Sequence, residues 1–216
     1  RANREAHERE VDVSPDFAAV LGAAQILHGA TAGAFDPTVG PLMKCWRFHH
    51  GRGAMPAPEA VDVARALVGL ERVRLDAERL VVRYDRPGLE LDFGAIGKGY
   101  AVDKVVAILR SFRIRRALVH GGASSVYALG APPDEPGWPV RLRSPHDETK
   151  TFGAVVLHDR AISGSAPGPE SFVVDGRRYG HELDPRTGRP AQGNAAAWAV
   201  APTATESDAL STAFFV

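Results

Sequence analysis

Cysteine occurs once in this chain of 216 residues, as Cys45, so no disulfide can close within it and the redox compartment is left open. An excess of either charge is also missing. The 26 lysines and arginines balance 26 acids, and no long run of one sign stands out. That argues against nucleic acid or an anionic membrane surface as the main partner. No apolar run approaches the roughly 18 to 20 residues of a membrane span. There is no starting methionine and no signal-like segment, and the sequence closes on "STAFFV" without a polar tail. The expectation is a fragment trimmed at both ends, with any signal or lipid anchor lying outside it. The length suits one sizeable core, hence a single domain over 1–216.

Lysine is scarce. Lys44, Lys98, Lys104 and Lys150 are the only four, which makes a lysine inside a glycine loop a marked feature. That loop is "LDFGAIGKGYAVDKV" (91 to 105).

What surrounds it is a mixture of helical and strand patterns. Residues 14 to 33 place Phe17, Val20, Leu21, Ala24 and Leu27 at helical spacing after Ser14-Pro15, a helix-start signal, and close at Gly33. A second helix is expected over 55 to 70. Alternation at Val73 and Leu75, then Leu80, Val82 and Tyr84, predicts a hairpin. After the glycine loop, Ala101, Val105, Ile108, Leu109 and Phe112 recur as on a helix face. A buried strand over 116 to 122, strands in "PVRLRS", "FGAVVLHD" and "AAAWAVAP", a hairpin turned at Asp175-Gly176, and a final helix from about Thr203 complete the pattern. Helices interleaved with antiparallel hairpins make this an α+β chain.

The glycine loop admits four explanations. Asp92-Phe93-Gly94 is similar to the kinase metal-binding triplet, but no catalytic-loop motif precedes it. "GAIGKG" is near a P-loop, yet the spacing and the following Ser or Thr are missing. A plain strand-to-helix turn with Asp92 capping the helix is the third. The fourth is a phosphate site, where backbone amides, a helix N-terminus and Lys98 all favour negative charge.

Two further clusters bear on the choice. In "TATESDALST", Thr203 and Glu206 have capping-box spacing, while Asp208 and Thr212 lie four apart and so share a helix face. A carboxylate beside a hydroxyl suits magnesium or calcium, or equally a helix whose first turn prefers an acid. In "RRYGHELDPRTGRP", Asp184, Pro185 and Gly188 have ordinary turn chemistry. His181 is different, since an imidazole beside that turn can serve as acid or base near neutral pH or can simply be structural.

Taken in order, these stretches resemble the ApbE-type flavin transferases, which move FMN from FAD onto a protein hydroxyl. "GAFDPTVGPLMKCWRF" is similar to the family's early block and "LDFGAIGKGYAVDKV" to its D-x-G-A-I-x-K-G-Y-A-x-D block. "ALVHGGASS" matches its glycine turn, "DGRRYGHELDPRTGRP" its D-G-K-R-Y-S-H-I-I-D-P-R-T-G-x-P block, and "SDALST" its closing D-A-L-A-T. The resemblance implies a single T-fold-related domain of mixed, largely antiparallel sheets with packed helices.

It also implies a site. Asp92 and Lys98 would bind FAD, with Phe35, Asp36, Gly121 and Gly122 lining the nucleotide. The Ala95 carbonyl, Asp208 and Thr212 would hold Mg2+, and His181 would be the candidate base. The implied partner is an acceptor flavoprotein with a Ser or Thr flavinylation site. FAD hydrolysis at the same site, or FAD binding without turnover, are the alternatives. The family suggests a periplasmic or membrane-anchored location, through an anchor not present here. Gly180 stands where the family often has Ser or Thr, Glu182 replaces an apolar residue, and the family's opening block has no counterpart beyond "RAN".

Overall fold

The computed structural model describes residues 1–216 apart from Arg52, His146, Glu148 and Pro169, and apart from the side chain of His50. The chain starts with α1 (Ala2–Glu5), β1 (Val11–Asp12), α2 (Pro15–Ala30), α3 (Gly40–Cys45) and α4 (Pro58–Arg65), then the hairpin β2 (Val73–Asp76) and β3 (Val81–Tyr84). Next come α5 (Gly97–Ser111), β4 (Ala117–Gly121), β5 (Ser125–Leu129), β6 (Trp138–Arg143), β7 (Thr151–Leu157) and β8 (Arg160–Ser165). Short strands β9 (Phe172–Val174), β10 (Arg177–Tyr179), β11 (Leu183–Asp184) and β12 (Arg189–Pro190) lead to β13 (Ala197–Ala201) and α6 (Ala204–Phe215). The paired strands named here are antiparallel, as expected for an α+β chain of this kind. Among the described residues no helix is long and apolar enough to cross a membrane.

Two compact units emerge: residues 1–95 with 167–193 and Val216, and residues 96–166 with 194–215. In the first, β1, β3 and β2 form a sheet whose Val11, Val73, Val82 and Tyr84 pack with Leu21 of α2. Ser14 caps α2 by accepting the N–H of Phe17 at 3.1 Å, and Pro15 occupies its first turn. A second cluster joins Leu42 and Trp46 to Val61, Ala64 and Leu183, with Phe172 and Tyr179 stacked at 5.3 Å beside it. The helix expected over 55 to 70 is shorter, because Pro58 sets its first turn and Ala57 before it is extended. The Asp175-Gly176 turn is as expected, with both residues at positive φ (49° and 77°).

The second unit stacks three layers. Its central sheet runs β13-β8-β5-β4. One face carries Tyr127, Leu129 and Ala161 against Val102 and Val106 of α5 and Ala204 of α6. The other carries Val126, Ala128 and Ile162 under Leu157 and the flanking side chains of the β6–β7 ribbon. β5 is therefore buried along its whole length, whereas β4, expected to be buried, is a half-buried edge strand. The apolar face expected for α5 is also corrected. Val105, Ile108 and Phe112 are exposed, and the buried stripe is Gly99, Val102 and Val106.

Two helices of this unit cap each other. Ile96, the residue before α5, gives it no side-chain cap; the N–H of Gly99 donates instead to Asp208 Oδ2 of α6 at 3.0 Å. In return Asp103 of α5 accepts the N–H groups of Ala204 and Thr205, each at 2.8 Å, and the Thr205 hydroxyl at 2.5 Å. Each carboxylate thus satisfies orphan donors at the start of the other helix. Thr203 adds a cap to α6 through the N–H of Glu206 at 3.1 Å.

Candidate active site

In the second unit the structure gathers five of the expected residues. Asp208 is 4% exposed and its carboxylate is held on both oxygens, Oδ2 by Gly99 N–H and Oδ1 by the Ser125 hydroxyl at 3.1 Å. Lys98 brings its ammonium to 3.9 Å from Oδ1. Ser125 leads β5 directly after the glycine turn, where Gly122 takes a positive φ of 70° with open space around it. Gly121 has no room for a side chain, because a Cβ there would come within 2.7 Å of Val102 Cγ2. Thr212 lies one turn beyond Asp208, its hydroxyl 3.3 Å from Ser165 Oγ. A buried carboxylate, a hydroxyl, a lysine and an exposed glycine turn therefore share one side of this unit.

The donor chemistry fits a hard divalent cation. Asp208 and Thr212 offer oxygen ligands, and among the described residues no group of three or more His, Cys, Asp or Glu could hold a metal. An ion here would draw the rest of its shell from carbonyls, water or a ligand's phosphates, as Mg2+ commonly does.

The other expected residues lie in the first unit. Asp92 does not cap a helix: its Oδ1 accepts the N–H of Gly94 at 2.8 Å, closing a local turn, and Oδ2 sits 3.7 Å from His49 Nε2. Phe35 is 2% exposed and Asp36 6%, so both side chains point into the fold. Asp36 accepts the N–H and hydroxyl of Thr38 at 2.7 and 2.6 Å, and burial pushes its carboxyl above the ordinary range despite those bonds. Ala95 is the last residue of its stretch of this unit.

His181 follows β10. Its Nε2 stands 3.4 Å from Glu182 Oε1 and its Nδ1 3.9 Å from Glu170 Oε2, and the ring meets Phe48 edge-on at 6.5 Å. Nδ1 is buried without a hydrogen-bond partner among the described residues. The departures at its neighbours have physical reasons. A side chain at Gly180 would press on Pro167 at 3.3 Å, and Glu182 places a carboxylate beside the imidazole.

Sequence reasoning missed Asp103, which acts across 101 residues, and the hydroxyls of Ser125, Ser165 and Ser211. The available signal was the alternation of "SGS" at 163 to 165, which puts Ser163 and Ser165 on one face of β8.

Comparison with known proteins agrees with the resemblance. The sequence model of the ApbE family matches residues 1–216. The FAD:protein FMN transferase of Salmonella typhimurium is 34% identical over 211 residues, covering 94% of this chain and 60% of that protein. The chain thus spans about three fifths of the length of this curated relative. The crystal structure of the ApbE protein of Thermotoga maritima superposes with a TM-score of 0.89 at 33% identity, over 97% of this chain and 68% of that one. The apo form of the flavinyl transferase ApbE of Pseudomonas stutzeri gives 0.85 at 31%, over 99% and 66%.

Proposed function

The chain belongs to the ApbE family, and from that premise we propose that the protein transfers FMN from FAD to a Ser or Thr hydroxyl of an acceptor flavoprotein, with release of AMP. The observation that carries this is the Asp208 carboxylate, fixed by Gly99 and Ser125 with Lys98 and Thr212 around it. Asp208 and Thr212, both in the second unit, are the proposed Mg2+ ligands. When bound, Mg2+ supplies Lewis-acid charge to pyrophosphate oxygens.

The chain's own groups do the rest. Lys98 adds a formal positive charge toward phosphate, and the backbone of Gly121 and Gly122 lets the nucleotide approach closely. Asp92 is a proposed FAD contact from its exposed turn, whereas buried Phe35 and Asp36 shape the flavin side through backbone and packing. His181 takes the proton of the acceptor hydroxyl. That oxygen forms a bond to the FMN-side phosphorus, the P–O bond to AMP breaks, and AMP leaves with the electron pair. Glu182 and Glu170 supply the negative charge that a proton on the ring would face. Water in place of the hydroxyl gives FMN and AMP instead.

The test is to incubate the protein with FAD, Mg2+ and an acceptor flavoprotein, then measure the acceptor's mass and free AMP. A mass gain matching one phosphoester-linked FMN with equimolar AMP supports transfer. AMP without the gain indicates hydrolysis, and neither product refutes an enzymatic role with that acceptor. Asp208→Asn keeps an oxygen for Gly99 N–H, while its amide can donate to a rotated Ser125 hydroxyl, so folding should persist. Loss of the proposed ion's one side-chain carboxylate should weaken Mg2+ about 100-fold or more, beyond what outer-shell changes cost. Equal Mg2+ dependence of FAD binding in both proteins would remove Asp208 from the site.

A further inference from the structure

Three pairs of oxygens stand in a row in the second unit. Thr212 Oγ1 is 3.3 Å from Ser165 Oγ, Ser165 Oγ is 3.0 Å from Ser211 Oγ, and Ser211 Oγ is 2.8 Å from the Asp208 carbonyl oxygen. Each such pair needs one hydrogen between its members, or lone pairs would face each other. The three hydroxyls bring one hydrogen apiece and the carbonyl brings none. A single assignment satisfies all three contacts. Ser211 must donate to the carbonyl, so it accepts from Ser165; the hydrogen of Ser165 is then used, so it accepts from Thr212. Ser165 is 6% exposed and Ser211 is fully buried, which leaves water little access to compete for these hydrogens.

The direction of this row matters for Thr212. Its hydrogen is turned toward β8, so its lone pairs are left for another partner. A hydroxyl that ligates a cation uses a lone pair and must keep its hydrogen away from the ion. We infer that Ser165 is a positioning residue for divalent-cation binding: by accepting the Thr212 hydrogen, with its own hydrogen anchored through Ser211 to the Asp208 carbonyl, it aims the Thr212 oxygen at the ion. This rests on the proposed Mg2+ site at Asp208 and Thr212. It adds an outer layer of control that belongs to the sheet and not to the ligands.

The test titrates Mn2+, as a paramagnetic probe, into the protein with FAD and follows free Mn2+ by electron paramagnetic resonance. Ser165→Ala should weaken Mn2+ by about 10- to 100-fold, the usual effect of removing a partner of a metal ligand, and Ser165→Thr, which keeps the hydroxyl, should restore it. Ser163→Ala is the matched control. It removes a buried hydroxyl from the same strand face that has no hydrogen-bond partner among the described residues, and should leave Mn2+ binding at the wild-type level. Should Ser165→Ala fail to fold, Ser211→Ala unties the row from its carbonyl end and must weaken Mn2+ in the same way. Wild-type affinity in Ser165→Ala, or in Ser211→Ala when that variant stands in, overturns the inference. Equal Mn2+ binding by wild type and Asp208→Asn overturns the metal site itself, a separate result.

Discussion

Gly99→Ala is expected to lower the melting temperature by roughly 2 to 8 °C, corresponding to about 1 to 2 kcal/mol in a chain of this size. A Cβ at this position would overlap the Ala204 carbonyl oxygen and lie 2.5 Å from its carbon and 2.9 Å from Asp208 Cβ. These are mostly backbone atoms, so no rotamer change relieves the overlap. The Ala204 backbone is itself tied down by Asp103, and moving it would also pull Asp208 from the Gly99 N–H. Overpacking of this kind costs about 1 to 3 kcal/mol and sometimes more, against a gain of about 1 kcal/mol in helix propensity from Gly to Ala. Gly22→Ala is the comparison. Gly22 also lies inside a helix, but nothing is within 4 Å of its added Cβ, so that variant should melt at or above wild type. If Gly99→Ala melted with wild type, the close approach of α5 and α6 would be discounted.

His181→Asn should slow FMN transfer by about 10²- to 10⁴-fold, the usual contribution of a general base. Mg2+-dependent FAD binding should be nearly unchanged, so the loss should fall on kcat. The substitution keeps a polar group between Glu170 and Glu182 and gives up the edge contact with Phe48. Single-turnover transfer, measured as FMN-linked acceptor against time, separates the chemical step from binding. Transfer at the wild-type rate would free His181 of catalytic work. A variant that no longer folds would return it to the core, and a carboxylate would become the better candidate base.

The local features of this fold were largely legible in the sequence. The Asp175-Gly176 turn demands two residues at positive φ, and Asp-Gly supplies them. Ser14-Pro15 announces α2, and the β2–β3 hairpin shows in its alternation. β5 and β8 were hidden because their inward positions include Ser125, Ser163 and Ser165, and apolar periodicity does not register hydroxyls that face a polar helix surface. The exposed Val105, Ile108 and Phe112 misdirected the orientation of α5, since a small stripe of Gly99, Val102 and Val106 is what close packing on α6 requires.

The placement of the candidate residues was legible only in part. Spacing put Asp208 and Thr212 on one face, but nothing local could pair Asp208 with Gly99, 109 residues away. Asp92 had the sequence context of a helix cap and instead serves its own turn. Phe35 and Asp36 matched a ligand-lining motif while their side chains are spent on the interior.

That 109-residue separation also sets a clock on biosynthesis. A ribosome adding about 5 to 20 residues per second needs roughly 5 to 20 s to pass from Gly99 to Asp208. During that interval the nascent glycine loop has been made but its acid has not, and the first turn of α5 stays open to water or to a chaperone. Messages translated more slowly over this stretch would lengthen the exposure without changing a single amino acid.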